Sequence, residues 1–364
     1  VQTNRVHISE FLSASKGQLI LDVRSPAEYG HAHIPGAISF PLFSNEERAV
    51  VGTAYKQESR EKAIKIGLDY FGPKMRPMVE QVESLLASIH GKTDAGTFTG
   101  YPVFVYCWRG GMRSGAVSWL LNLYGFKVIT LAGGYKAFRN YVLKTFTRPF
   151  RFTILGGYTG SGKTALLQEL KHQGQYVIDL EGIACHKGSA FGSIHMPPQP
   201  TQEMFENRLA LELSELVGEI GQEENTSYPT IWLEDESQRI GNLNIPMDLW
   251  ETMRTAPVYF LDIPFEQRLD YLIEDYGRGD IQKLMDATLR ITKRLGGLET
   301  KNTIAYLEEG NIREAFRILL QYYDKRYFKG LHNREDVSAL LNKIPCEKVT
   351  SSNAQALLNQ YQTL

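Results

Sequence analysis

An apolar segment, Phe152–Leu155, runs into Gly157-Tyr158-Thr159-Gly160-Ser161-Gly162-Lys163-Thr164, and this junction constrains the fold more than any other feature of the chain. The octapeptide fits the pattern G-x-x-x-x-G-K-[ST] without departure, in the strand-to-helix context that a phosphate-binding loop requires. Glycines let the backbone curl so that successive N–H groups converge on one anion. The following helix, read as Lys163–Gln173, adds its dipole, Lys163 adds a full charge, and the Thr164 hydroxyl can ligate Mg²⁺. An overlapping pattern, Gly160-x-Gly162-x-x-Ala165 with Asp179 and Glu181 downstream, has the form of a dinucleotide fingerprint. The Lys-Thr pair inside the first helical turn favours the phosphate loop.

The segments around this loop predict an α/β domain. Strands are expected at Tyr176–Leu180, Thr230–Leu233 and Val258–Asp262, mostly helix from Pro264 to Lys329, a last strand at Cys346–Thr350 and a closing helix at Asn353–Tyr361. The apolar run Ile231-Trp232-Leu233 ends in Glu234-Asp235-Glu236, where a carboxylate can hold Mg²⁺ through water. Thr164 and Asp235 are the metal candidates, with Asp262 a weaker one. Asp179, Glu181, His186 and Lys187 fall where phosphate-loop enzymes place substrate-contacting loops, and His186-Lys187-Gly188-Ser189 suits an anion or RNA.

The N-terminal part alternates in the same way. Leu19–Val23 is a short strand, Ser25-Pro26-Ala27-Glu28 has the cap and first-turn proline of a helix start, and Val103–Tyr106 is a buried-strand signal. Helices are expected at Met78–His90 and Ser114–Tyr124, and strands at Ile38–Phe40 and Val128–Leu131. Strands separated by helices indicate parallel sheets. Between Val103–Tyr106 and the helix Ser114–Tyr124 lies Cys107-Trp108-Arg109-Gly110-Gly111-Met112-Arg113-Ser114. A cysteine there faces backbone N–H groups, a helix dipole and two arginines, all of which favour thiolate. The same ring can hold a tetrahedral oxyanion over the sulfur, so Cys107, Arg109 and Arg113 are the catalytic candidates, and Trp108, Gly110, Gly111, Met112 and Ser114 form the anion loop. Capture of a chalcogen and attack on a phosphate ester both use this geometry. Cys185 and Cys346 lack the setting and are read as structural.

Thr147-Arg148-Pro149 reads as a linker, giving domains 1–147 and 148–364, the second with a mostly helical region 264–345. A length of 364 residues allows two cores. A composition of 43% hydrophobic and 22% charged residues is that of a globular chain. No apolar run approaches the roughly 18–20 residues of a membrane span. The start, VQTNRVHISEF, shows no secretory leader, and three cysteines without a Cys-x-x-Cys pair suit a reducing compartment. A cytoplasmic location is expected. The net charge of −1 conceals an asymmetry: Ala95 to Gln168 contains nine basic residues and no acid. Such a field attracts phosphates.

Asp22-Val23-Arg24, Glu28, His33-Ile34-Pro35-Gly36-Ala37 and the Cys107 loop make residues 1–145 resemble a rhodanese domain. The five residues between Cys107 and Arg113 depart from the shorter loop of ordinary thiosulfate sulfurtransferases and match the longer loop of rhodanese-fold phosphatases. Nearly end to end, the chain resembles the tRNA 2-selenouridine synthase family. The resemblance adds Gly133-Gly134-Tyr135-Lys136-Ala137, Asp179-Leu180-Glu181-Gly182, His186 through Gly192, Glu234 through Ser237, Arg294-Leu295-Gly296 and Tyr322-Tyr323-Asp324. Lys187 stands where arginine is expected, which keeps the charge but loses the bidentate fork.

The resemblance implies a two-step transferase acting on tRNA that carries 2-thiouridine at the wobble position. Geranyl diphosphate first alkylates the 2-thio group, and selenium from selenophosphate then replaces the geranylthio group. The phosphate loop, with Mg²⁺, is suited to the diphosphate and the Cys107 loop to selenophosphate; a protein supplying selenophosphate is a further candidate partner. Three rivals remain: a rhodanese-type tRNA sulfurtransferase coupled to ATP hydrolysis, a nucleotide-gated RNA-binding protein, and a phosphatase, for which no general acid is evident beside the loop.

Overall fold

The computed structural model describes residues 4–91, 101–218, 229–277 and 279–363. The chain forms two compact units, Val1–Lys144 and Thr145–Leu364. In the first, strands β1 (Asn4–Val6), β2 (Leu19–Asp22), β3 (Ile38–Ser39), β4 (Pro102–Tyr106) and β5 (Lys127–Leu131) form a parallel sheet in the order β1-β5-β4-β2-β3. Strand β4 is central and buried from Val103 to Tyr106, which is why it reads as a continuous apolar run rather than an alternating one. Leu21, Val82, Val103, Val105, Val117 and Leu121 belong to one core that includes Cys107. The three-residue edge strand β1 was not anticipated; with only Val6 buried, its pattern is too short to register.

The second unit has β6 (Arg151–Gly157), β7 (Tyr176–Ile178), β8 (Thr230–Glu234), a small hairpin of β9 (Arg239–Ile240) and β10 (Leu243–Asn244), then β11 (Val258–Asp262) and β12 (Leu341–Pro345). The main sheet is parallel in the order β12-β11-β6-β8-β7, so β6, which feeds the phosphate loop, is central. Helices dominate from Phe265 to Leu340, and Asn353–Thr363 closes the chain as a helix. Leu269, Leu284, Ala315 and Leu319 centre a second, mainly helical core beside the sheet's own.

The last strand differs from expectation. It is Leu341–Pro345, ahead of Cys346, and Cys346–Thr350 is not extended into the sheet. Only Ile344 of this strand is buried, because it is an edge strand, so its polar Asn342 and Lys343 conceal it. Pro345 is tolerated there because an edge residue need not donate to the ladder. Among the described residues no helix is long and apolar enough to cross a membrane.

Candidate functional site

Chemistry-bearing residues gather in each unit. In the first, the loop between β4 and the helix Met112–Tyr124 carries Cys107. Its thiol is 3% exposed, with Sγ 3.2 Å from Ser114 Oγ and accepting from the Gly111 N–H at 3.3 Å. Burial pushes the thiol pKa up. Hydrogen bonds from Ser114 and Gly111, with the nearby Arg113 charge, outweigh burial, and the net effect is a value below that of an ordinary cysteine.

The loop rests on the Gly133–Ala137 turn. Tyr135 N–H donates to Cys107 O at 2.8 Å and Lys136 N–H to Trp108 O at 3.0 Å. A Cβ on Gly134 would stand 2.2 Å from Cys107 O, so glycine is required for this close approach. Behind it, Arg24 and Asp22 form a buried ion pair at 2.6 Å, and the Arg24 guanidinium lies 3.9 Å from the Tyr135 ring centroid. Tyr106 donates to Asp22 at 2.9 Å and accepts from Ile34 N–H at 3.1 Å. The Asp22-Val23-Arg24 motif is thus scaffold.

The two loop arginines part company. Arg113 is paired with Glu28, at 2.6 Å and 3.3 Å. Glu28 also accepts from Ser25 N–H at 3.0 Å, tying the loop's helix to the start of the helix Pro26–His31. Arg109 is exposed and has no carboxylate partner among the described residues, as are Trp108 and Met112 exposed.

In the second unit the phosphate loop joins β6 to the helix Lys163–His172. A Cβ on Gly160, whose φ is +80°, would lie 2.8 Å from Arg268 O, so the loop packs directly on the helix Phe265–Tyr276. Two side chains from the helical region hold it. Arg268 donates to Thr159 O at 3.0 Å while paired with Asp324 at 2.7 Å and 2.8 Å. Tyr327 OH accepts from Gly157 N–H at 3.1 Å and donates to Asp235 at 2.6 Å. Tyr158 rests edge-on against Phe260, and Lys163 Nζ donates to Gly157 O at 3.0 Å. Ser161 Oγ is buried without a partner inside the loop.

The acids near the loop differ in what they touch. Asp235, a metal candidate in the sequence, is 7% exposed and clamped by Arg334 at 2.6 Å as well as by Tyr327. Thr164 Oγ1 instead donates to Glu181 at 3.2 Å. Asp179 accepts from Gly182 N–H and Gln168, capping the short helix Leu180–Ala184. Glu234 accepts from Glu181 N–H at 2.6 Å, and its second oxygen is buried without a partner. Burial, then repulsion from Asp179 and Glu181, pushes the Glu234 carboxyl well up. Glu236 is likewise pushed up by burial and by Glu181 and Glu234, with Lys163 opposing.

Among the described residues no group of three or more metal-ligating side chains is arranged to hold an ion by itself. A hydroxyl and a crowded carboxylate nevertheless fit Mg²⁺, which takes one or two protein oxygens and completes its shell with phosphate and water. Thr164 and Glu181 are the pair the structure brings together; Asp235 is engaged elsewhere.

The loop opens into a cavity of about 1740 Å³. His186 and Lys187 are on its wall, Lys187 paired with Asp275 at 2.8 Å. His186 is buried with Nδ1 unpartnered, and burial, then Arg290, lowers its pKa. Leu272, Ile291, Phe316, Leu319 and Leu320 make an apolar inner wall. Sequence reasoning missed the roles of Arg268, Tyr327 and Arg334. Tyr322-Tyr323-Asp324 was the nearest signal for this helix.

Residues 150–350 match the family described as the tRNA 2-selenouridine synthase AAA domain, and residues 8–141 match the rhodanese-like domain family. Relatives described as tRNA 2-selenouridine synthase include that of Hydrogenovibrio crunogenus, 34% identical over 85% of this chain and 88% of the relative. That of Nitrosomonas eutropha is 30% identical over 87% and 89%. The match to that of Nitrosomonas europaea is 35% identical over 71% of this chain and spans 63% of that relative.

Proposed function

The chain belongs to the tRNA 2-selenouridine synthase family, and from that premise we propose that it exchanges sulfur for selenium in wobble 2-thiouridine of tRNA by two group transfers at two loops. In the first, the thiocarbonyl sulfur attacks C1 of geranyl diphosphate; the new S–C bond forms as the C–O bond breaks, and pyrophosphate leaves. In the second, the selenium of selenophosphate attacks C2, the C2–S bond breaks and the geranylthio group departs, taking a proton to become geranyl thiol; water then cleaves the Se–P bond and phosphate is released.

The observation that carries this reading is the cavity: a phosphate loop at one wall and an apolar surface at another match a diphosphate with a hydrocarbon tail. The converging N–H groups, Lys163 and the unpartnered Ser161 hydroxyl are suited to the charge that develops on departing pyrophosphate. Mg²⁺, held by Thr164 and Glu181, would add charge neutralisation there. The apolar wall of Leu272, Ile291 and Phe316 excludes water from the alkylating carbon.

For the second transfer, the Cys107 loop supplies a thiol of lowered pKa, the Gly111 N–H and the uncommitted Arg109. These favour a tetrahedral anion beside the sulfur, with Cys107 assisting delivery of its selenium to C2. Arg113 acts on the thiol through its charge while bound to Glu28.

The test is mass spectrometry of 2-thiouridine tRNA incubated with the protein and geranyl diphosphate, then with selenophosphate. Gain of one geranyl group, replaced by selenium in the second incubation, is the expected result. No geranylation, together with tRNA-stimulated ATP hydrolysis, would overturn the reading in favour of an ATP-coupled sulfurtransferase.

A further inference from the structure

Nine described arginines of the second unit, from Arg239 to Arg334, fall into two groups. Arg268, Arg313, Arg317 and Arg334 are each paired with carboxylates, as Arg313 is with Glu266 and Asp270 at 2.7 Å and 2.6 Å. Arg239, Arg254, Arg290, Arg294 and Arg326 have no ion pair among the described residues, and all five line the cavity beside the phosphate loop. What holds them is uncharged: Arg239 donates to Gly241 O at 2.9 Å, Arg254 to Gly330 O at 3.3 Å, Arg290 to Ala190 O at 2.9 Å and Arg326 to Tyr322 OH at 3.4 Å. Glu251 and Glu335 line the same cavity and form no ion pair with them.

A guanidinium has five N–H donors in a planar fork, and one or two bonds to carbonyls leave donors for an anion. A single diphosphate does not account for five such groups, since the loop N–H groups and Lys163 already serve it. The five come from the β9–β10 hairpin, the helices Met247–Arg254 and Ile281–Arg290, the short turn Thr292–Leu295 and the long helix Ile312–Leu331, so they are spread around the cavity rather than focused on one point. A distributed set of unpaired cations is suited to successive phosphates of one strand. Aromatic side chains lie among them: Trp250, with the Arg254 guanidinium 5.5 Å from its centroid, and Tyr322, with that of Arg326 at 5.8 Å. Alternating guanidinium groups and aromatic faces are how unpaired RNA bases and their backbone are held together.

We infer that these five arginines grip the phosphate backbone of a single-stranded RNA loop and so bring its unstacked base into the cavity that holds the phosphate loop. This rests on the reading above that the chain acts on tRNA, and it assigns the gripping surface to named residues. The contact is electrostatic and independent of sequence, while the modified base and the loop containing Lys163 meet inside.

The test is fluorescence anisotropy of a labelled 2-thiouridine anticodon stem-loop with the full chain, from low to moderate salt. R290A/R294A is expected to weaken binding roughly tenfold or more, and to reduce the slope of log K against log salt by about 1.4, near 0.7 per lost single-strand contact. R290K/R294K is expected to recover part of the affinity and most of the slope. R313A removes the same kind of charge from a paired arginine outside the cavity and is expected to leave affinity within about twofold. Wild-type binding with R290A/R294A unchanged, or R313A as damaging per charge removed, overturns the inference and leaves the proposed function standing. A wild-type chain that does not bind the RNA overturns both.

Discussion

Cys107 illustrates how opposed effects are resolved at one atom. A thiol 3% exposed in an apolar core is ordinarily protonated and inert. Here the Ser114 hydroxyl and the Gly111 N–H are at the sulfur, and each stabilises the thiolate more than the neutral form. Replacing Ser114 with Ala is expected to raise the pH midpoint of Cys107 alkylation, measured as the iodoacetamide rate against pH, and an unchanged midpoint would assign the shift to the backbone alone. Glu28 shows the same arithmetic with the sign reversed. Burial pushes its carboxyl up, but the Arg113 ion pair, with the Ser25 N–H, holds it down at about 2. A depressed carboxylate stabilises the fold above its unfolded value, near 4.5, and loses that contribution as pH falls through about 2. Glu28→Gln is therefore expected to cost about 1–3 kcal/mol at neutral pH. The gap from wild type should shrink between about pH 4.5 and 2 in chemical denaturation. The sequence made Cys107, Arg109 and Arg113 legible because loop, glycines and basic residues are contiguous. It did not separate the two arginines, because Glu28 is distant in sequence.

At the scale of elements, the phosphate loop is legible from its own eight residues, but what holds it still is not. Its restraints come from helices more than a hundred residues away: Arg268 on Thr159 O and Tyr327 on Gly157 N–H. No local spacing encodes such partners, and the engagement of Asp235, a metal candidate in the sequence, by Tyr327 and Arg334 is hidden for the same reason. The acid at the end of β8 has the position of a metal-binding carboxylate, yet Arg334, beyond the end of the long helix Ile312–Leu331, claims it. Tyr327→Phe leaves the Arg334–Asp235 pair intact and removes the acceptor of Gly157 N–H. It is expected to weaken inorganic pyrophosphate binding by roughly 5–20-fold, equivalent to about 1–2 kcal/mol, in isothermal titration, with little change in unfolding midpoint. Asp235→Ala instead strands a buried guanidinium and is expected to cost about 3–5 kcal/mol of stability. If the two variants were indistinguishable in both measurements, the chain Arg334–Asp235–Tyr327–Gly157 would not act as a positioning latch. The displaced last strand belongs here too: an edge strand with one buried residue gives periodicity little to detect, whereas buried β4 and β11 were read correctly.

For the whole molecule, two parallel α/β sheets carry two loops of related construction, each a strand ending in a glycine-rich turn at a helix N-terminus, but with different reactive groups. One offers a thiol and N–H groups, the other an ammonium, a hydroxyl and an apolar wall. Under the proposed function neither set does the other's work: the phosphate loop, residues 157–164, contains no cysteine, and the cavity with the apolar wall is lined by residues of the second unit. Each transfer should then need only its own loop. Cys107→Ala is expected to accumulate S-geranylated tRNA, and Lys163→Ala to leave 2-thiouridine unaltered while still selenating geranylated tRNA supplied to it. The two variants mixed in one reaction should restore selenouridine, with the geranylated tRNA passing from one protein to the other, read by mass spectrometry of the nucleosides. Loss of geranylation in Cys107→Ala would show that the thiol acts in the first transfer as well, and the assignment of one chemistry to each loop would fall. Failure of the mixture despite both single-step results would mean instead that the geranylated tRNA stays bound to the protein that made it, so the two loops act on one captive substrate.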